Sequence, residues 1–331
     1  MRSLVTGGAG FIGSHVVRHC LELGHEVVVL DDLSGGFRQN VCEKALFIQG
    51  SVTNDVLIKD IFRSHHIDYV YHLAAYAAEG LSHFIRHFNY NTNLLGTINL
   101  INEAVKHDVK CFVFTSSIAV YGPGQVPMTE SQVPMPEDPY GIGKYAVELD
   151  LASAHRMFGL DFVIFRPHNV FGENQNLNDP YRNVVGIFMN KLMRKQPMTI
   201  FGDGSQTRAF SYIGDVAPHI ARSVEVPDAL NQTFNIGADN PISVLELAHM
   251  VARLFRVEPK IEFLPPRLEV QHAFADHSKV QDIFQPGPPI SIEEGLDRMA
   301  HWARKQPVSA GASRLGQIEV EKNMPKSWLE N

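Results

Sequence analysis

Cysteine is scarce in this chain of 331 residues: Cys20, Cys42 and Cys111 are the only three, far apart and without a CxxC pair. Neither a disulfide framework nor a cysteine-rich zinc site can be built from them, and a reducing cytoplasm is the expected setting. Long apolar runs are missing as well. None reaches the ~18 residues of a membrane span, and the first strand starts so early that no signal peptide is expected before it. There is no surplus of basic charge. A net charge of −7 and a pI near 6.1 argue against a polyanion-binding surface, so nucleic acid is not an expected partner. Histidine is plentiful, with 16 residues, but scattered. His15/His19 and His83/His87 have HxxxH spacing without the adjacent glutamate of a zinc-protease helix, and no metal site is expected.

What is present is a globular composition, 44% hydrophobic and 20% charged, on a chain long enough for one large core or a core plus a smaller lobe. The strand ending Leu4-Val5-Thr6 runs into Gly7-Gly8-Ala9-Gly10-Phe11-Ile12-Gly13, and an apolar-periodic helix follows to about Gly24. A β-branched strand, Val27 to Leu30, then closes on Asp31. This strand–glycine turn–helix–strand–acid unit suits a dinucleotide. Small residues admit a pyrophosphate, the helix N-terminus offers free N–H groups, and the acid takes the ribose hydroxyls. Asp31 would repel a 2′-phosphate, which favours NAD over NADP.

The alternation of strand and helix continues. Strands are expected at 45–48, 69–73, 111–115 and 162–165, and helices at 55–62, 91–105 and from Tyr140 to about Met157. That pattern predicts an α/β fold with a doubly wound parallel Rossmann sheet, whose ligands sit at the carboxyl ends of the strands. Beyond about Gly172 the loops lengthen, and a capping box, Ser243 to Glu246, opens a helix to Leu254. We expect a cofactor domain over 1–172, a smaller mixed substrate lobe over 173–305 interleaved with it, and a loosely ordered tail over 306–331. Trp328 is a candidate anchor for that tail, on the body or on a neighbouring subunit.

Chemistry concentrates in Thr115-Ser116-Ser117 and Tyr140-Gly141-Ile142-Gly143-Lys144. Tyr140 and Lys144 share one helix face. A cation beside a phenol favours the phenolate, and such a phenolate can take a proton from a sugar hydroxyl while hydride leaves the same carbon. This implies alcohol–ketone redox chemistry on a nicotinamide. Spacing does not separate Ser116 from Ser117.

The stretches TGGAGFIGSH, HLAAYAA, NTNLLGTINLINEA, FTSSIAVYG, PYGIGK, FRPHNVFG, FGDGSQTRAFSYIGDV and FNIG resemble the extended short-chain dehydrogenase/reductases that act on nucleotide sugars. The likeness is closest to the UDP-hexose 4-epimerases. It implies that Gly7, Gly10, Phe11, Ile12 and Asp31 contact NAD, with Ser51, Val52, Leu73, Ala74, Ala75, Asn93, Thr115 and Pro167 completing the groove. Lys144 would hold the nicotinamide ribose, Tyr140 would be the base, and Ser117 would bind the reacting hydroxyl. For the nucleotide sugar it implies Asn169, Asn183, Val184, Thr199, Phe201, Arg208 and Arg267, with Ala273 beside the C2 group of the sugar. Departures are Ser51 in place of the usual acid, Ala209 after the diphosphate arginine, and a one-residue shortening after Arg267. The likeness also implies a homodimer paired through the helices at 91–105 and 140–157.

Related dehydratases carry an Asp-Glu pair after the active-site hydroxyl, sugar-acid decarboxylases a glutamate at the Ala119 position, and 3,5-epimerases a cysteine there. This chain has Ile118-Ala119, which transfers no proton. The remaining machinery is sufficient for a 4-epimerase. A small Ala273 would admit an N-acetyl group, and a uronic acid or pentose substrate stays open. The alternatives are another NAD-dependent nucleotide-sugar enzyme (an other-carbon epimerase, a dehydratase or a reductase) or a non-catalytic dinucleotide sensor.

Overall fold

Seven strands form one parallel sheet in the computed structural model, which describes residues 1–266, 270–309, 318–325 and 328. Their spatial order is Gln232–Ile236, Phe162–Pro167, Cys111–Thr115, Tyr69–His72, Arg2–Thr6, Glu26–Asp31 and Leu46–Gln49. The chain leaves the first strand in one direction and returns on its other side, so the order reverses beside Arg2–Thr6. That reversal opens a crevice at the carboxyl edge. Register places Thr6 opposite both Leu30 and His72, and Thr115 opposite Phe165. The residues that follow these positions therefore share one rim.

The strands read as unbroken apolar runs because both faces of the sheet are covered. Neighbours point to opposite layers. Val5, Val29, Tyr71, Val113 and Val163 face one core, while Leu4, Val28, Val70, Phe112 and Ile164 face the other with Ile58, Ile61, Leu100, Val147 and Leu151. The apolar positions of helix Asp55–Ser64 recur at helical spacing, and the Asn54 side chain caps it by accepting from the Leu57 N–H.

The expected helix at 91–105 starts earlier. It begins at Arg86, widens into a π-turn over Asn91–Leu95, and continues as an α-helix over Gly96–Lys106. The widened turn coincides with Asn93, whose side chain serves the neighbouring loop and not its own helix. The helix expected from Tyr140 opens one residue earlier, at Pro139, and runs as Pro139–Phe158. A missing N–H costs nothing there, and the Asp138 carboxylate caps the turn.

Beyond Gly172 the chain builds small sheets, Met198–Phe201 with Ile261–Leu264, and Thr207–Ala209 between Pro241–Ser243 and His272–Ala273. It also re-enters the main sheet through Gln232–Ile236 and lays helix Ala217–Arg222 against Phe11–Glu22. The Ser243 cap is present, its hydroxyl accepting from the Glu246 N–H at 3.0 Å. Among the described residues no helix is long and apolar enough to cross a membrane.

Trp328 lies on the body of the chain. Its ring meets Phe84 at 6.2 Å and Tyr181 at 5.4 Å, both edge-on. Nearby, the Glu319 carboxylate accepts from the His87 and Phe88 N–H groups at 2.7 and 2.8 Å. The tail cluster is small and separate from the two cores. Trp328→Ala should therefore leave the main cooperative unfolding transition within ~1 kcal/mol of wild type, while limited proteolysis of the tail accelerates. Equal loss of stability across the whole protein would contradict this.

Candidate active site

The rim of the sheet is built from backbone outward. Gly7 turns at φ 71°, and a Cβ there would stand 2.7 Å from the Ala74 nitrogen, so only glycine lets the first loop touch the loop after Tyr69–His72. Gly13 is needed for a different reason: a side chain would meet the Gly7 carbonyl at 2.1 Å. Asp31 ties the end of its own strand to the glycine turn. One carboxylate oxygen accepts from the Ala9 N–H at 2.9 Å and the other from the Leu33 N–H at 2.8 Å. Burial pushes its pKa up and the backbone N–H groups oppose that rise. Each oxygen keeps a further lone pair for a ligand hydroxyl. Phe11 and Ile12 open the helix behind the glycine turn.

On the other side of the reversal, Thr6 donates or accepts at His72 Nδ1 (2.6 Å), and His72 Nε2 meets Thr97 Oγ1 at 2.7 Å. Burial drives the His72 pKa down to about 3, so this link between strand and helix is uncharged. It carries Leu73, Ala74 and Ala75. Asn93 then fixes the next residue from both sides, accepting from Tyr76 N at 2.8 Å and donating to Tyr76 O at 3.0 Å. Ser51 closes on itself, its hydroxyl pairing with Thr53 Oγ1 at 3.0 Å and accepting from Thr53 N. Buried Val52 packs against Gly96. Pro167 ends its strand opposite Ile236.

The two serines separate here. Ser116 is buried and donates to Glu148 Oε1 at 2.5 Å, and that carboxylate is already paired with the Arg166 guanidinium. Ser117 accepts from the Ala119 N–H at 3.1 Å and lies beside the Tyr140 phenol, whose pKa it acts to lower. Ser117, and not Ser116, is the hydroxyl beside Tyr140.

Tyr140 and Lys144 are both buried on one face of helix Pro139–Phe158. Asp138 Oδ1 accepts from the Tyr140 and Gly141 N–H groups at 2.9 and 3.0 Å, and from the Ser82 hydroxyl at 3.2 Å. The Lys144 ammonium donates to the Thr115 carbonyl at 2.7 Å and lies over the Phe114 and Tyr140 rings, 4.6 and 5.8 Å from their centroids. It is aimed at the strand end and not at the phenol oxygen. Burial holds the Tyr140 pKa above its usual value, although the Ser117 hydroxyl opposes this. The phenolate expected from the lysine alone is not what the polypeptide produces. Burial also lowers the Lys144 pKa to about 7, with Glu148 opposing.

The substrate candidates lie in the smaller sheets and the loops before them. Asn169, at φ 41°, donates to the Ala209 carbonyl at 3.3 Å. Asn183, at φ 59°, caps the helix that Val184 opens and donates to the Val170 carbonyl. Thr199 and Phe201 lie on Met198–Phe201. Arg208 and Ala273 are cross-strand partners, and the Arg208 guanidinium donates to the Thr207, Gln271 and Val270 carbonyls. Arg267 lies outside the described residues. A cleft of about 660 Å³ opens beside Phe201, walled by Phe263, Leu264 and Pro266 with Asp203, Gln206 and Gln271 at its polar side. It is separate from the Tyr140 rim.

Sequence reading passed over Asp138, His72, Thr97 and Glu148. The Asp-Pro-Tyr order was a legible signal for the first, since an aspartate before a helix-opening proline is a capping pattern.

A Rossmann sheet with a glycine turn, a terminal acid, and a Ser–Tyr–Lys set at the adjoining rim defines a dinucleotide-dependent enzyme of the short-chain dehydrogenase/reductase type. Residues 3–237 match the model of the NAD dependent epimerase/dehydratase family. The chain belongs to that family. It is 34% identical over 305 residues to a putative UDP-glucose 4-epimerase of Methanocaldococcus jannaschii, covering 91% of this chain and 98% of that protein. It is 32% identical to UDP-glucuronic acid decarboxylase 1 of Arabidopsis thaliana, covering 90% of this chain and 69% of that one. Among solved structures, the UDP-glucose 4-epimerase of Thermotoga maritima with UDP-glucose superposes with a TM-score of 0.87 at 34% identity, over 92% of this chain and 99% of that chain. The rim fits NAD on its own geometry: the cradle at Gly7 excludes any Cβ, and Asp31 presents carboxylate acceptors for ribose hydroxyls.

The Lys144 pKa has a consequence for stability. The unfolded chain, with an ordinary lysine at 10.5, binds this proton through a pH window where the folded protein has released it. Folding stability from this group therefore rises with pH between about 7 and 10.5. Lys144→Met removes the cost of burying the ammonium. Its melting temperature relative to wild type should be highest below pH ~7 and should decline toward pH ~10. A difference independent of pH would contradict the assignment.

Proposed function

We propose that this chain is an NAD-dependent 4-epimerase of UDP-sugars, acting on a UDP-hexose, a UDP-N-acetylhexosamine or a UDP-uronic acid. The observation that carries this reading is the Ser117 hydroxyl beside the buried Tyr140 phenol at a rim where Ile118 and Ala119 offer no second acid or base. Dehydration and decarboxylation need such a group; withdrawal and return of hydrogen at one carbon do not.

When bound, NAD supplies a reversible hydride acceptor and a positive charge that favours the phenolate. Ser117 holds the C4 hydroxyl against the Tyr140 oxygen, and Tyr140 takes its proton. Lys144, tied to the Thr115 carbonyl, fixes the nicotinamide ribose. Gly7, Gly10, Phe11, Ile12 and Asp31 hold the diphosphate and adenosine ribose. Ser51, Val52, Leu73, Ala74, Ala75, Asn93 and Pro167 line the same groove. The 4-keto sugar then presents its other face, and Tyr140 returns the proton to the opposite configuration. Asn169, Asn183, Val184 and Arg208 hold the substrate diphosphate through this turn, with Arg267 as a second arginine. The apolar walls beside Thr199 and Phe201 suit the flat nucleoside base, and small Ala273 leaves room at C2.

Dimerisation has its own support. Ile142 and Leu149, seven apart on helix Pro139–Phe158, and Leu95 on the adjoining helix are 39%, 55% and 55% exposed. An apolar stripe of this kind suits a two-fold helix bundle. Leu149→Glu should convert a homodimer to monomer in sedimentation velocity; a wild-type protein that sediments as a monomer would contradict the pairing.

The reaction is tested with purified protein, no added NAD, and UDP-glucose, UDP-galactose and their N-acetyl forms. Catalytic interconversion of one pair is expected. Tyr140→Phe should lower kcat by ~10²–10⁴ with substrate binding retained. Ser117→Ala should lower it in the same direction, whereas Ser116→Ala should act mainly on stability through Glu148. Full activity in Tyr140→Phe, or product needing stoichiometric NAD, would overturn the reading.

A further inference from the structure

Two histidines that the proposed reaction does not use lie buried against each other behind the substrate-side strand. His168 follows strand Phe162–Pro167, and His277 precedes helix Ser278–Phe284. They are 3% and 2% exposed. Their rings stack at 5.0 Å with Nε2 facing Nε2 at 2.9 Å. The outer nitrogens are also engaged, His168 Nδ1 with the Ala209 carbonyl at 3.0 Å and His277 Nδ1 with Asp239 Oδ1 at 2.6 Å.

The protons in this chain can be counted. A carbonyl only accepts, so His168 Nδ1 carries hydrogen. Burial and the neighbouring His277 lower the His168 pKa to about 3, so its ring is neutral and its Nε2 accepts. His277 Nε2 must then donate. At its other end His277 faces a carboxylate, which calls for a second donor. Donors at both ring nitrogens of His277 satisfy every acceptor in the chain, which is the arrangement of an imidazolium.

What this cation holds is specific. Ala209 O, the acceptor of His168, also accepts from Asn169 Nδ2 at 3.3 Å. Ser211 N donates to Asn169 O at 3.2 Å, and Ser211 Oγ donates to His168 O at 3.0 Å. Gly237 makes room for the pair, since a Cβ there would stand 2.5 Å from His168 Nε2. Asn169 and the strand bearing Arg208 are thus drawn to one point.

We propose that His277 is a positioning residue, an imidazolium whose two donated hydrogen bonds clasp Asp239 to His168 and thereby set Asn169 and Arg208 for the substrate diphosphate. This rests on the substrate assignment made under Proposed function. Loss of the His277 proton leaves one donor for two acceptors, so the clasp holds at lower pH and opens as pH rises. The charged and titratable groups around it are Asp239 from the loop after Gln232–Ile236, His168 from the main sheet, and Asp276 and Lys279 from its own segment. Glu130 and Arg166 stand behind Lys279. Asp239 is the anion in direct contact.

The test combines ¹⁵N-histidine NMR of the NAD-bound protein with KM and kcat for the UDP-sugar between about pH 6 and pH 9. At the lower pH both His277 nitrogens should be protonated. KM should rise with pH by ~3–10-fold, the worth of one hydrogen bond, with kcat changing less. Asp239→Asn, at an exposed position, should keep the fold and move the KM transition down by ~1 pH unit. His277→Phe should give the high-pH KM at every pH. A neutral His277 at the lower pH, or an unmoved transition in Asp239→Asn, overturns the proposal. Arg208→Ala separates the two claims. If it raises KM while Asp239→Asn leaves the transition unmoved, the clasp fails alone; if it leaves KM unaltered, the substrate assignment fails and the positioning role falls with it, whatever the NMR shows of His277.

Discussion

An ammonium and a phenol buried side by side on one helix constrain everything around them. Water would hold Lys144 and Tyr140 at no cost, and the interior must replace it. The Thr115 carbonyl takes one ammonium proton, and the faces of Phe114 and Tyr140 take part of the charge. Glu148, one turn on, favours the charged lysine, but its carboxylate is shared with Arg166 and Ser116. The remaining deficit appears as a lysine pKa near neutrality and a phenol that holds its proton. Such a pair does little by itself. In the proposed function it responds to a positive charge arriving beside the phenol, the charge of an oxidised nicotinamide.

The rest of the rim is fixed by the sheet and its loops. The parallel sheet ends its strands at one level, and the reversal beside Arg2–Thr6 keeps the crevice open. Glycine at position 7 and the paired hydrogen bonds of Asn93 hold the two loops that flank it. Asp138 fixes the first turn of the helix that carries Tyr140, so the phenol, the serine and the crevice are set by backbone contacts. In the proposed reaction, preorganisation of this kind lets one base and one hydroxyl suffice.

Most of this frame was legible in the sequence because it is local. Apolar runs, the glycine turn and the YxxxK spacing each report on residues within a few positions of one another, and five of the first six strands were placed to within two residues at either end. Three features were not legible, for one shared reason. Ser116 is claimed by Glu148, 32 residues away, while Ser117 stands beside Tyr140. The π-turn at Asn93 answers to Tyr76, and the His168–His277 pair joins positions 109 apart. The phenol pKa was misread for the related reason that spacing reveals a neighbouring charge but not burial.

The central claim is that hydrogen leaves C4 of the sugar, stays within the complex, and returns to the same carbon. Incubating the protein with a UDP-hexose carrying deuterium at C4, in ordinary water, tests this most directly. The account predicts that the epimerised product keeps the deuterium at C4 and gains no solvent hydrogen on carbon. Loss of the label to water, or solvent hydrogen appearing at C3 or C5, would contradict it.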